Sequence, residues 1–171
     1  MRIDLHIHTN KSDGVLNPKE VIDEAVKNKV NIISICDHDT IDAYTLDLIE
    51  YAKENNIKLL YGVEISTKYK GYGYHVLGYN IDINNSEFRE FLSKIRLSRH
   101  NYLYDVSKKL NDFGYIINTS ELDKIDSVTK AHIANDIISN TDTILKNKSF
   151  FFLLLFLVTF LLFFIIHVST H

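Results

Sequence analysis

Short apolar segments alternate with amphipathic segments along residues 2–81. Residues 2–8 alternate apolar and polar side chains as a strand does, and residues 30–36 form the apolar run of a buried strand. Between them, Asn17 and Pro18 begin a helical pattern, because proline is favoured in the first turn of a helix. The order strand, helix, strand predicts an α/β fold with parallel strands.

The alternation continues toward the middle of the chain. We expect a second helix that is capped by Asp39 and Thr40 and runs to about residue 55. A third strand over residues 57–65 and a fourth, glycine-containing strand over residues 72–81 follow it. Two further helices complete the prediction, over residues 86–113 and 130–139.

The composition restricts the class of protein. Of the 171 residues, 46% are hydrophobic and 24% are charged, so the chain can form a core and is unlike a disordered segment. A net charge of −3 excludes the strongly basic surface of a nucleic-acid coat protein, and we expect no binding to duplex DNA. The single cysteine, Cys36, excludes a disulfide framework and a cysteine zinc site. No apolar run follows Met1, so we expect no secretory signal and a cytoplasmic globular part.

The first polar motif is DLHIHTNKSDG, at residues 4–14. On a strand, His6 and His8 project from the same face, about 6 to 7 Å apart, so both imidazoles can reach one ion. Asp13 follows on a turn, where Gly14 gives the backbone freedom to bring it back. Two ordinary core or surface histidines remain the alternative for the pair taken alone.

Three further motifs carry imidazole and carboxylate groups. His38 belongs to CDHDT, directly after the second strand, where the alternative is an aspartate that caps the following helix. Glu64, in GVEIS, lies inside an apolar strand, where a carboxylate needs compensation and a buried salt bridge is the alternative. His75, in HVLGY, is by itself also compatible with an ordinary half-buried histidine.

The four motifs together indicate a metal site. His8, His38 and Glu64 each lie at or near the carboxyl end of a predicted parallel strand, which is where α/β folds place their sites. Imidazole and carboxylate ligands without thiolate suit Zn²⁺, Mn²⁺ or Fe²⁺. Clustered cations promote phosphoester hydrolysis. The sequence therefore predicts a site that holds two or three divalent ions and hydrolyses phosphate esters.

These motifs, in this order, closely resemble those of the PHP family (polymerase and histidinol phosphatase) over about residues 1–140. Within the family the chain is most similar to the stand-alone phosphoesterases that act on nucleoside 3′,5′-bisphosphates and short RNA 5′ ends. The resemblance implies a distorted (β/α)7 barrel. Residues 1–82 would form its first, metal-binding part, and residues 83–148 an incomplete helical insertion.

The resemblance also implies roles for individual residues. It assigns the metal ligands in three sets that share one carboxylate: His6, His8 and Glu64 for one ion, Glu64 and His75 for a second, and Asp13 and His38 for a third. Arg99 and His132 are implied to contact the phosphate or base of the substrate, a nucleotide or a short RNA 5′ end. For Arg99 and its neighbour Arg96, a solvated helix face is the open alternative.

The sequence departs from the family's pattern after the helical segments. Family members continue further and carry a later histidine before a proline and a closing S-D-x-H-type motif, and neither is found here. On that pattern each ion would lose one protein ligand. An inactive, truncated fragment is therefore the alternative to an active phosphoesterase.

The last segment has an unusual composition. Between Phe150 and Ile166 the only polar residue is Thr159. At ~1.5 Å per residue this run is roughly 25 Å long, near the lower limit for a membrane-spanning helix. We expect an apolar helix over residues 149–168. It would be a single membrane anchor for a metal-binding module, the product of a shifted reading frame, or a buried core helix.

Overall fold

A computed structural model of the chain describes residues 1–112 and 115–140. Within these ranges the strands and helices follow in this order: β1 (Ile3–Ile7), α1 (Pro18–Lys27), β2 (Ile32–Ile35), α2 (Leu46–Glu54), β3 (Lys58–Leu59), β4 (Gly62–Tyr69), β5 (Tyr72–Tyr79), α3 (Ser86–Asp112), α4 (Thr119–Leu122) and α5 (Lys130–Asn140). The predicted alternation of strands and helices is confirmed as far as β3, and β4 and β5 then follow one another directly.

The strands form two sheets. The first is parallel in the order β1-β2-β3, so β2 is its central strand. The second is an antiparallel hairpin of β4 and β5, in which Glu64 lies opposite Leu77 and Ser66 opposite His75. The prediction of a parallel strand is therefore wrong for β4, which pairs antiparallel with β5. Only Lys70 and Gly71 connect them, and a parallel crossover needs a much longer connection.

The strand predicted over residues 57–65 is divided between β3 and β4. Gly62 packs so closely against Ser34 that a Cβ atom at Gly62 would overlap the Ser34 hydroxyl. Tyr44 bridges the division, because its hydroxyl donates to the carbonyl of Ile35 and accepts from the backbone N–H of Gly62 at 2.8 Å. A side chain thus supplies the hydrogen bonds that a continuous strand would have made with its neighbour.

The first two helices begin at polar caps. α1 begins where it was predicted, after Asn17. α2 begins later than predicted, after Thr45, whose hydroxyl accepts from the backbone N–H of Leu48 at 3.1 Å. The prediction that Asp39 and Thr40 cap this helix is wrong, because the Asp39 carboxylate bonds to β4 and α3 instead.

Two hydrophobic clusters stabilise the described residues. The first packs α1 and α2 against the parallel sheet and contains the fully buried Ile33 and Ile35 of β2. The second joins α3, α4 and α5 around Leu103. Ile83 and Leu92, from the predicted helical insertion, pack in the first cluster. The domain boundaries at residues 82 and 148 stay predictions.

Part of the C-terminal prediction lies beyond the described residues. α3 ends at Asp112, close to its predicted end, and α4 is a short helix that the sequence pattern did not indicate. Across residues 1–112 and 115–140, none of the helices has the length and apolar character that crossing a membrane requires. The apolar helix predicted over residues 149–168, and with it the expected anchor, lies outside the described residues.

Candidate metal centre

β1 presents two histidines to one side of the sheet. Because side chains alternate along a strand, His6 and His8 share a face, and their Nε2 atoms lie 3.1 Å apart. Both atoms contact the same carboxylate oxygen, Glu64 Oε2, at 2.7 Å and 3.0 Å. The predicted convergence of the two imidazoles is confirmed, and the atoms that meet are ones that can bind a cation.

The loop after β1 brings Asp13 back to His8. Its backbone turns at Thr9, whose carbonyl accepts from the N–H groups of Ser12 at 3.0 Å and Gly14 at 2.9 Å. Gly14 touches the peptide of His8 so closely that a Cβ atom there would overlap the His8 carbonyl. Asp13 Oδ1 then lies 3.5 Å from His8 Nδ1, on the other side of the imidazole from His6.

A buried carboxylate that sequence reasoning left without a role holds this loop. Asp37 is 1% exposed, and it accepts hydrogen bonds from Thr9 N at 2.7 Å, Thr9 Oγ1 at 2.6 Å and Ser12 Oγ at 2.6 Å. Burial raises the pKa of Asp37, and these hydrogen bonds oppose that effect. The signal in the sequence was the first aspartate of CDHDT, on the other side of His38 from Asp39. Its function is to position the loop of Asp13.

His38 lies directly beyond β2 and joins the two sheets. It forms an isolated parallel bridge with Glu64, with Asp39 N donating to Glu64 O at 2.9 Å and Glu64 N to Asp37 O at 3.2 Å. Its Nε2 atom lies 3.4 Å from Asp13 Oδ2. The expectation that Glu64 ends a parallel strand is wrong. Glu64 lies inside the antiparallel strand β4, and this bridge brings it beside His38.

Glu64 connects all four histidines. One of its oxygens contacts His6 and His8, and the other, Oε1, lies 2.8 Å from Nδ1 of His75 on β5. The nearest atom of His38 is 3.9 Å from Oε2. The Glu64 side chain is only 9% exposed, so an ionised carboxylate here needs compensation by positive charge.

Neighbouring imidazoles keep the carboxyl groups ionised. Burial raises the pKa of Asp13, but the hydrogen bond and charge of His38 and the charge of His8 outweigh it and bring the pKa to about 2. Burial also acts against ionisation of Glu64, and the hydrogen bond of His6 and the charges of the other imidazoles hold its pKa below the usual value. Burial, followed by the charge of His38, lowers the pKa of His8. Ionised carboxylates and a neutral imidazole are the forms that bind cations.

The ligand atoms fall into three groups, in each of which all atoms lie within 4.8 Å of one another: His6, His8 and Glu64; His8, Asp13 and His38; and His38, Glu64 and His75. These groups contain the three ligand sets that the family resemblance implied. They bring together all six predicted metal ligands.

The donor set fits divalent cations. Nδ1 of His38 is buried and has no hydrogen-bond partner within the described part of the chain. A buried nitrogen without a partner is costly, and a cation would accept its lone pair. Nitrogen and carboxylate donors without sulfur suit Zn²⁺, Mn²⁺ or Fe²⁺.

The structure places Arg99 against the loop that carries His38. Its Nε atom donates to Asp39 Oδ2 at 2.6 Å, Nη2 donates to Ser66 Oγ at 2.7 Å, and Nη1 donates to the carbonyl of Val128 at 3.0 Å. The side chain is 17% exposed, so the solvated helix face considered for it is wrong. The guanidinium group is held in a fixed orientation beside the centre.

His132, the second predicted substrate contact, lies in the first turn of α5. Its Nδ1 atom accepts from the backbone N–H of Thr129 at 3.0 Å. Burial lowers the pKa of His132, while the charge of Asp13 acts in the opposite direction. Arg99 and His132 both belong to the helical segment.

Comparison with known proteins identifies the family. The model of the PHP domain matches residues 4–150. The chain belongs to the PHP domain family. A Haemophilus influenzae protein named 5′-3′ exoribonuclease is 37% identical over 141 residues, which cover 80% of this chain and 50% of that protein. The 3′,5′-nucleoside bisphosphate phosphatase of Chromobacterium violaceum is 34% identical over 97 residues, 57% of this chain and 34% of that protein.

Two solved structures share the fold of this chain. An amidohydrolase of Chromobacterium violaceum, with bound sulfate and no metal, matches with a TM-score of 0.74 and 26% identity over 84% of this chain and 51% of that chain. A Bifidobacterium adolescentis protein named as a metal-dependent phosphoesterase has a TM-score of 0.71 at 23% identity, over 81% of this chain and 50% of that chain, and shows the fold alone. The chain spans about half the length of the first curated relatives it matches. The predicted resemblance to the PHP family and to its exoribonuclease and bisphosphate phosphatase members is confirmed.

Proposed function

We propose that this PHP chain is a metal-dependent phosphoesterase that hydrolyses phosphate esters of nucleotides or of RNA 5′ ends. The observation that carries the proposal is the contact of one carboxylate, Glu64, with the imidazoles of His6, His8 and His75. The names of the relatives support the substrate class, since one is an exoribonuclease and another a nucleoside bisphosphate phosphatase.

The ligand assignment follows the three groups of neighbouring donor atoms. His6, His8 and Glu64 would hold one ion, Glu64 and His75 a second, and Asp13 and His38 a third. Divalent cations in such a site lower the pKa of water and neutralise the negative charge of a phosphate. The two ionised carboxylates, in turn, compensate the positive charge of the cations.

Arg99 and His132 are proposed to orient the phosphate or base of the substrate. A guanidinium group has five N–H donors, and the bonds of Arg99 to Asp39, Ser66 and Val128 use three of them. The other two have no partner among the described residues and can meet a phosphate oxygen. Because Asp39 fixes the guanidinium plane, little conformational freedom is lost when a phosphate binds.

Release of phosphate from adenosine 3′,5′-bisphosphate, and of a nucleoside monophosphate from a short 5′-phosphorylated RNA, tests the proposal, with the full chain loaded with Mn²⁺. We expect hydrolysis that stops on addition of EDTA and falls by at least about tenfold in His8→Ala, since even an outer partner of a metal ligand is worth roughly 10- to 100-fold. His100→Ala is the matched control. His100 lies on α3, its Nδ1 atom is 2.7 Å from Asp123 Oδ1, and it belongs to none of the three ligand groups.

Turnover in His8→Ala equal to that of the unaltered chain would contradict the proposed site. Binding of Mn²⁺ with release of neither phosphate from the bisphosphate nor a nucleoside monophosphate from the RNA would contradict the proposed activity. In that case a metal-binding module without hydrolysis would replace the phosphoesterase.

A further inference from the structure

The pairing of β1 with β2 shifts by one residue directly before the candidate metal ligands. Asp4 lies opposite Ile33, and the next pair is Ile7 with Ile35. β1 therefore advances three residues where β2 advances two, which leaves one extra residue in β1, as in a β-bulge. The irregularity falls at residues 5–6.

The extra residue decides which side of the sheet the histidines face. With an unshifted register, His6 would lie opposite Ile35. Paired residues of parallel strands point to the same side, and Ile35 is fully buried in the first hydrophobic cluster. A regular β1 would thus turn His6, and with it His8, toward the core. The shift places Ile7 against that cluster instead and directs both imidazoles to Glu64.

Side chains hold both ends of the peptide at this irregularity. The carbonyl of Leu5 accepts from the hydroxyl of Tyr79 at 3.0 Å and from the thiol of Cys36 at 3.4 Å. The backbone N–H of His6 donates to Asp4 Oδ1 at 3.3 Å. Because a thiol is a weak donor, Tyr79 supplies the stronger of the two bonds to the carbonyl.

Tyr79 reaches β1 from the hairpin. It is the last residue of β5 and lies opposite Gly62, on the same face as His75, because residues at even spacing along a strand share a face. His6 and His75 contact different oxygens of Glu64. The bond of the Tyr79 hydroxyl therefore links the two strands that carry these imidazoles.

We propose that Tyr79 is a positioning residue of the candidate metal centre, and that it acts through the Leu5 carbonyl to hold the shifted register that directs His6 to Glu64. This inference rests on the proposed function, since it concerns the same site. The His6 side chain is 46% exposed, so packing restrains it little. Without the Tyr79 hydroxyl, the Leu5 carbonyl keeps the weaker bond of the Cys36 thiol. The peptide before His6 then gains freedom, and its imidazole spends less time within reach of an ion at Glu64.

The first experiment measures the affinity of the full chain for Mn²⁺, from the EPR signal of the free ion. We expect one Mn²⁺ dissociation constant of Tyr79→Phe to rise roughly tenfold, the lower end of the range for groups that orient metal ligands. Tyr74→Phe is the matched control, since it removes a hydroxyl from the same strand. Tyr74 lies opposite Thr67, at an odd spacing from Tyr79 and so on the other face of the hairpin.

A double-mutant cycle separates positioning of His6 from a general effect on folding. If Tyr79 acts through His6, Tyr79→Phe should weaken Mn²⁺ binding in the unaltered chain but not in His6→Ala, where the ligand is already absent. A general loss of stability would weaken binding in both backgrounds alike. Equal losses in the two backgrounds would therefore overturn the inference, and so would an unchanged affinity in Tyr79→Phe.

The second experiment needs no metal. In EDTA, the imidazole resonances of His6 in a ¹H–¹⁵N NMR spectrum should shift in Tyr79→Phe and stay in place in Tyr74→Phe. Resonances of His6 that do not move in Tyr79→Phe, or that move equally in the control, would overturn the inference. Absence of hydrolysis in Mn²⁺ from every protein would refute the proposed function but not the role of Tyr79, because neither the affinity nor the spectrum depends on turnover.

Discussion

Ser127 donates its hydroxyl to the backbone carbonyl of His38 at 2.5 Å, although the two residues are 89 positions apart. Ser127 is fully buried, and His38 is 9% exposed. A second link lies next to this one, because Arg96 and Arg99 of α3 both bond to Asp39. The helical segment therefore holds the backbone of a candidate metal ligand from outside the sheets.

Ser127→Ala leaves the carbonyl of His38 buried without a donor. We expect the free energy of unfolding to fall by about 1–3 kcal/mol, measured in urea. The affinity for Mn²⁺ should fall by roughly 10- to 100-fold, as for other groups that orient metal ligands. Ser139→Ala is the control, since Ser139 bonds to the carbonyl of Asn135 on an exposed helix surface. An unchanged affinity for Mn²⁺ in Ser127→Ala would show that the bond does not position His38.

Gly14→Ala should displace the loop that carries Asp13. The new Cβ atom would overlap the carbonyl of His8, which is backbone and cannot rotate away. We expect a loss of about 1–3 kcal/mol from overpacking, together with weaker binding of Mn²⁺. Gly73→Ala is the matched control, because no atom lies within 4 Å of its added Cβ. Equal effects of the two substitutions on Mn²⁺ affinity would contradict this account of the loop.

The lowered pKa of Asp13 predicts that the free energy of unfolding of the metal-free protein falls in acid. This pKa is about 2 in the fold, against 3.8 for the free side chain, so the unfolded chain binds more protons between these pH values. The stabilisation is complete above about pH 4 and is lost as the pH falls through about 2, and it amounts to about 2 kcal/mol at ~1.4 kcal/mol per pH unit. Urea unfolding in EDTA measures it. Asp13→Asn should lack this part of the pH dependence, whereas Asp47→Asn, at an exposed position, should keep it.

Arg99→Ala removes the cation that compensates Asp39, whose side chain is fully buried. An uncompensated buried charge costs about 3–5 kcal/mol, and we expect the free energy of unfolding to fall by that amount. Arg99→Lys should recover only part of it, because an ammonium group cannot reproduce the planar set of bonds to Asp39, Ser66 and Val128. Lys94→Ala, which removes a surface pair with Glu90 on the same helix, should cost at most about 0.5 kcal/mol. A loss in Arg99→Ala as small as that in Lys94→Ala would refute the structural role of Arg99.

Local patterns in the sequence were sufficient for β1 and its ligands. The period of two along the strand predicts that His6 and His8 share a face, and Gly14 signals the return of Asp13. Both expectations depend only on neighbouring residues, and both are confirmed. The start of α1 after Asn17 is of the same kind.

The sequence patterns did not predict features that depend on contacts between residues far apart along the chain. The division of the third predicted strand depends on the Tyr44 hydroxyl, which reaches Ile35 and Gly62 from a loop. The late start of α2 follows from the use of Asp39 by Ser66 and Arg99. No local pattern encodes such contacts, because each requires the position of a second segment in space.

The four histidines of the centre come from three separate stretches of chain, yet a single side chain touches or approaches all of them. A substitution at Glu64 would therefore disturb β1, the segment after β2 and β5 at once, whereas each imidazole contacts only its neighbours in the series His6, His8, His38 and His75. Glu64 is therefore the one side chain of the centre whose loss would affect all four histidines. Divergent members that preserve part of the chemistry can be expected to change a histidine before they change this glutamate.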